Sequence, residues 1–187
     1  MAEGKPVLRS IRVSAGLSES LTREARSKRV SVNSLVSSVL EKYDEWDRMA
    51  EKFGFVQIPS DLFKLFLSSL DAEKLPEVAK EAGRTFPKET ILFWFKEASY
   101  QNLLRYLELQ SEYQFQNQLL HHEVTISRGK VTIVLHHLFG ERGSTWFLNY
   151  LSEAIRINLG VTPTADETNN SVRLEFPFDP SESGHGS

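Results

Sequence analysis

The 187-residue chain contains no cysteine. That absence excludes disulfides, thiolate metal sites, iron–sulfur clusters and thiol redox sensing. No apolar run approaches the roughly 18 residues needed to span a bilayer, so no membrane partner is expected. The opening MAEGKPVLRS has no apolar stretch followed by a small-residue cleavage site and is not read as a secretory signal; a cytoplasmic location is expected. Aromatics are missing from the first 42 residues: all twenty Phe, Tyr and Trp lie at Tyr43 or beyond. The N-terminal segment therefore has little bulk with which to build a core of its own.

What that segment has instead is positive charge. Residues 1 to 34 hold seven basic side chains against three acidic ones, a balance of +4, whereas the remainder holds fifteen against twenty-two, a balance of −7. Asymmetry of this kind points to a polyanion-binding end joined to an acidic body, although a solvated charged helix face would have the same composition.

Periodicity divides the segment into short elements. Val7, Arg9, Ile11 and Val13 alternate with Leu8, Ser10 and Arg12, a period-two strand with an imperfect apolar face. Ser14 can cap a helix carrying Leu17, Leu21 and Ala25 at intervals of four. Ser31 offers the next N-cap, for a long helix with apolar positions from Val32 through Leu35, Val36, Val39, Leu40, Tyr43, Trp46, Met49 and Ala50 to Phe53, stopped by Gly54. One strand cannot pair with itself, and two thin stripes bury too little to offset chain entropy. A second copy resolves both problems. The two strands align as an antiparallel ribbon, and the second helices interlock, burying Ile11, Val13, Leu17, Leu21, Leu35, Val36, Val39 and Leu40. A homodimer is expected, with or without higher assembly.

The order strand, helix, basic turn, helix over residues 7–46, with SVNS at Ser31–Ser34 opening the second helix, resembles the ribbon-helix-helix DNA-binding family of the Arc, MetJ and CopG repressors. The resemblance implies a homodimeric, sequence-specific transcriptional regulator of double-stranded DNA with its β-ribbon in the major groove. The outward strand positions, here Leu8, Ser10 and Arg12, would face bases: Arg12 suits a guanine, while Leu8 suits a thymine methyl or the sugar-phosphate edge. The family seats a phosphate on the amides that open the second helix, here Ser31, Val32 and Asn33. Arg9, Arg26, Lys28 and Arg29 would add phosphate contacts without sequence information. The turn departs from the family pattern: Arg29 stands where a Gly usually ends the first helix, so either Arg29 takes a less easy backbone or the turn differs.

The rest of the chain is expected to form an α+β domain over residues 55–178, after a DNA-binding domain over residues 1–54 and before a disordered tail over residues 179–187. It opens with a helix from Ser60, a second helix ended by Gly83, and a strongly apolar stretch that is helical for most of its length, with Ile91–Phe95 open as a buried strand. LLHHEVTISRGKVTIVLHHLFG then reads as a hairpin turning at Arg128-Gly129. A two-residue turn places Val124, Ile126, Val131, Ile133 and Leu135 on one face and His121, Glu123, Thr125, Thr132 and His136 on the other. A helix follows with Phe147, Tyr150, Leu151, Ala154 and Ile155 buried, then a polar loop TPTADETNN, then a strand with Val172, Leu174 and Phe176 inward.

Three side chains on the hairpin's polar face, His121, Glu123 and His136, could converge as ligands for zinc, nickel or copper, or could be sheet surface or dimer contacts. Nickel-responsive ribbon-helix-helix regulators are similar in plan, but they use a cysteine that this chain lacks. His122 and His137 share the apolar face as packing residues. The aromatics Phe93, Trp94, Phe95, Trp146 and Phe147 could line a small-molecule site or belong to the core. No phosphate loop or nucleophile motif favours an enzyme. The expected role of the body is to sense a small-molecule or metal effector or to add oligomer contacts. An antitoxin-type protein that binds both its own operator and a protein partner is the alternative.

Overall fold

A computed structural model describes residues 7–178; the expected C-terminal tail lies outside them. The chain divides into two compact units, with the boundary between Glu45 and Trp46.

In the first unit, α1 (Ala15–Ser27) starts at Ser14, whose Oγ accepts from the Leu17 amide at 3.3 Å. α2 (Val32–Lys42) starts at Ser31, whose Oγ accepts from the Ser34 amide at 3.0 Å. Both caps satisfy amides that a helix start leaves unpaired. The link between the helices is a Schellman turn: the Val30 amide donates to Ala25 O at 3.0 Å and the Arg29 amide to Arg26 O at 3.1 Å. Arg29 sits at φ 57°, so the less easy left-handed backbone is what this chain adopts in place of the usual glycine. The strand expected over residues 7–13 is not present: residues 7–14 have no regular structure and no ladder partner among the described residues. Among the described residues before Trp46, the buried side chains are Ala25 and Leu35.

The second helix predicted from Val32 to Phe53 is helical throughout, but Tyr43–Asp47 is a π-helical turn, and α3 (Arg48–Phe53) continues after it to a left-handed Gly54. Trp46 and Ala50 pack with Leu109 and half-buried Phe55, Trp94 and Tyr113. That packing, beyond the reach of a pattern read along one helix, places the boundary before Trp46, not after Gly54.

The second unit is α+β, with helices first and an antiparallel sheet after them. α4 (Ser60–Ser69) follows an extended link, and α5 (Lys74–Phe95) runs through the positions expected to end it. Gly83 is a contact residue, not a helix stop: a Cβ there would lie 2.2 Å from the backbone oxygen of Tyr150. Pro87, four residues on, has no N–H to give to the Gly83 carbonyl, and the helix continues past it. Ile91–Phe95 is helix, not strand, and ends at a left-handed Lys96 with φ 67°. α6 (Tyr100–Leu109) leads into a second π-helical turn, Gln110–Gln114.

β1 (Leu120–Ser127) and β2 (Lys130–His137) form the expected hairpin, with Arg128 and Gly129 both at positive φ, and the predicted register holds: Val124 pairs with Ile133 and Ile126 with Val131. α7 (Gly140–Leu159) crosses over to β3 (Thr164–Glu167) and β4 (Ser171–Pro177), giving the strand order β1-β2-β4-β3. β3 occupies part of the segment expected to be a polar loop. As an edge strand of Thr, Ala, Asp and Glu, it is held by the β4 ladder and not by its own apolar pattern. β2 and β4 bury Val131, Ile133, Leu135, Val172, Leu174 and Phe176, whereas Ile126, near the tip of the edge strand β1, remains 53% exposed. α7 lies against β3 and β4, and α5 lies against α7. Arg142 of α7 donates to the carbonyls of Leu67, at 2.7 Å, and Leu70, closing the end of α4. No helix among the described residues is long and apolar enough to cross a membrane.

Candidate functional site

The predicted DNA-facing residues all fall in the first unit. Leu8 is 92% exposed, and Ser10 and Arg12 alternate with it along an exposed, unpaired segment. Arg9, Arg26 and Arg29 are exposed as well, while Lys28 forms an ion pair with Glu24 at 3.1 Å. At the start of α2, the Ser34 amide is taken by Ser31 Oγ, and the amides of Val32 and Asn33 occupy the first turn, where no preceding carbonyl can serve them. Those two exposed N–H groups, with the helix dipole behind them, have the geometry of an anion seat. The Schellman turn delivers Arg29 two residues before that cap, so cationic side chains and helix amides are close in sequence around one reversal of the chain.

The residues meant to be covered by a second copy are open in the single chain. Ile11, Val13, Leu17, Val39 and Leu40 are exposed, Leu21 and Val36 are half-buried, and only Leu35 of the set is buried.

On the hairpin, His121 and His136 face each other in the β1–β2 register, and His121 Nε2 lies 3.9 Å from Glu123 Oε1. Among the described residues, however, no group of three or more His, Asp or Glu side chains is arranged to hold a metal ion. The register brings the trio to one face without converging it.

The other two histidines of the hairpin, His122 and His137, pack into the fold. His137 is buried; its Nδ1 accepts from the Phe139 amide at 3.2 Å, so the neutral ring carries its proton on Nε2 and donates to Ser144 Oγ at 3.0 Å. Burial, assisted by His136, lowers its pKa to about 4. His122 Nδ1 lies 2.7 Å from Ser111 Oγ, and burial lowers its pKa too.

The predicted aromatic group separates. Trp146 and Phe147 line a cavity of about 770 Å³ in the second unit, whereas Trp94 stacks on Trp46 at 5.3 Å and Phe93 packs against Phe53. Sequence reasoning missed the other walls, among them Phe63, Phe115 and Phe139. It also missed a polar chain in which Gln110 Nε2 donates to Tyr106 Oη at 2.9 Å and Tyr106 Oη meets Tyr150 Oη at 3.1 Å. The available signal was the FQNQ run after a helix that shows no ordinary stop.

No protein-family model matches the chain, and no curated protein is found similar to it.

Proposed function

We propose that this protein is a homodimeric, sequence-specific DNA-binding regulator of the ribbon-helix-helix type, with a C-terminal regulatory domain. Residues 7–13 of two copies pair as a β-ribbon that presents Leu8, Ser10 and Arg12 to the major groove. The amides at Ser31, Val32 and Asn33, with Arg9, Arg26, Lys28 and Arg29, hold the phosphates. The observation that carries the reading is the exposure of an apolar set, Ile11, Val13, Leu17, Val39 and Leu40, in a basic unit whose described residues bury only Ala25 and Leu35. Exposed apolar side chains gathered in one small unit mark an interaction surface. The antitoxin alternative is disfavoured by the second unit, which has a core of seventeen buried residues and does not depend on a partner to acquire one.

The test is a gel-shift titration of the full chain against the duplex upstream of its own coding sequence, with single base-pair substitutions and a salt series. Arg12→Ala is expected to lose discrimination at one base pair, worth about 1–3 kcal/mol, and to change other positions little. Lys28→Ala is expected to weaken every sequence alike and to reduce the salt slope by about one. Equal loss at all positions from Arg12→Ala removes its role as a base reader, and a full chain that ignores duplex DNA at low salt overturns the proposal.

A further inference from the structure

We propose that the cavity of the second unit is a binding site for an uncharged, flat aromatic molecule bearing a carbonyl or hydroxyl group. The site is fully contained in that unit and has a volume of about 770 Å³, within the range of cavities that enclose drug-sized ligands. Aromatic rings recur around its walls, among them Trp46, Phe63, Phe115, Phe139, Trp146 and Phe147. Rings so disposed favour a planar guest, which they can meet by stacking or edge-on.

Charge excludes an anion. None of the lining residues is Lys, Arg or His, and the charged ones are Asp47 and Glu51, so a carboxylate or phosphate guest would enter an apolar space with no counter-charge. The polar handles are neutral. Gln110 commits its amide hydrogens to Tyr106 Oη at 2.9 Å and Gln114 Oε1 at 3.0 Å, which leaves its own carbonyl oxygen as an acceptor. Tyr106, receiving that hydrogen, can donate its own to Tyr150 at 3.1 Å, and Tyr150 also meets Gln110, so the three side chains form one neutral hydrogen-bonded cluster that reaches the cavity wall at Gln110 and Tyr150. Burial raises the pKa of both phenols, Tyr150 to about 12, and keeps them protonated. A small uncharged polar cluster at one wall of an otherwise mostly apolar enclosure suits a guest whose single carbonyl or hydroxyl can exchange into it.

A second observation is independent of the composition. Both π-helical turns border the cavity, Tyr43–Asp47 through Trp46 and Asp47, and Gln110–Gln114 through Gln110, Ser111, Tyr113 and Gln114. π-Helical turns are rare and concentrate at functional sites. Gln116, also at the wall, is held with its neighbour Asn117 at positive φ, a strain that non-glycine residues seldom carry outside such sites.

Binding stands on the cavity alone; its meaning as an effector site rests on the DNA-binding reading. The test therefore uses the full chain without DNA. Nile red, an uncharged planar dye with a carbonyl, is titrated against anilinonaphthalene sulfonate, an anionic dye, with dye emission and tryptophan quenching as readouts. The expected result is saturable Nile red binding at one dye per chain, with the anionic dye at least about tenfold weaker. Tyr150→Phe is expected to weaken Nile red about tenfold, and Val56→Trp, at an exposed wall position in the link before α4, to abolish binding while leaving the melting temperature unchanged. Dye adhering to exposed apolar residues of the first unit would be insensitive to both substitutions. Equal affinity for the two dyes, no saturable binding, or Nile red binding undiminished in both variants overturns the proposal.

Discussion

The two units of this chain solve the same problem in opposite ways. The second unit gathers seventeen buried residues from its helices and sheet into one cluster, and Val131, Ile133, Val172 and Leu174 have no measurable exposure. The first has two well-capped helices and a defined turn, but among its described residues only Ala25 and Leu35 are buried, leaving Val39 55% exposed and Leu40 59% exposed. Side-chain capping is better in the first, where Ser14 and Ser31 cap both helices, than in the second, where Ser99 caps α6 but α4, α5 and α7 have no side-chain cap. Capping and turn chemistry therefore specify helices but do not supply the burial that holds them together. The second unit supplies it from its own chain, and the first, on the proposed reading, from a second copy.

The sharpest way to break this contrast is to place a charge on the open face. Val39→Asp should be nearly neutral if the single chain is the complete fold, because exposed substitutions cost little. In the proposed dimer it buries an unpaired carboxylate and should cost more than about 3 kcal/mol of association, giving monomer by sedimentation while the far larger second unit melts as before. Gly83→Ala is the reverse experiment. With the Tyr150 backbone oxygen 2.2 Å from the new Cβ, α5 and α7 must separate, and a loss of about 3 kcal/mol is expected in urea unfolding, with no change in oligomeric state.

A smaller effect separates the units by pH. His137 has a folded pKa of about 4 against an ordinary 6.5, so the unfolded chain takes up the proton first. The stabilisation is complete above pH 6.5, declines as pH falls from there towards 4, and changes no further below that; the decline should be on the order of 1–3 kcal/mol in the second unit. NMR titration of the His137 ring in the native state, beside urea unfolding across the same range, checks both halves. The smallest effect is in the first unit. Arg29→Gly removes a left-handed arginine and should raise helix stability by about 1 kcal/mol, measured by the helical signal at low denaturant.

How far these features were legible in the sequence follows the range of the interactions behind them. The hairpin register was readable because a two-residue turn and strict alternation leave only one arrangement that buries Ile133 and Leu135. The caps at Ser14 and Ser31 and the awkward Arg29 were equally local. Gly83 was misread because a glycine that ends a helix and a glycine that admits a neighbouring backbone look alike until Tyr150 is in place. β3 was missed because an edge strand of polar residues has no pattern apart from its pairing with β4. Most of the cavity was hidden for the same reason: Phe63, Phe115 and Phe139 come from separate segments, and only the fold assembles them. The metal trio shows the converse. Correct pairing of His121 with His136 put the side chains on one face, but a shared face is not a coordination sphere.

On the proposed reading, a second copy completes the first unit. Sedimentation of the full chain at micromolar concentration, with hydrogen exchange of the α1 and α2 amides measured on the same sample, tests this directly. The prediction is a dimer in which those amides are protected and lose protection together with the dimer on dilution. A monomer whose α1 and α2 amides remain protected at every concentration would contradict it.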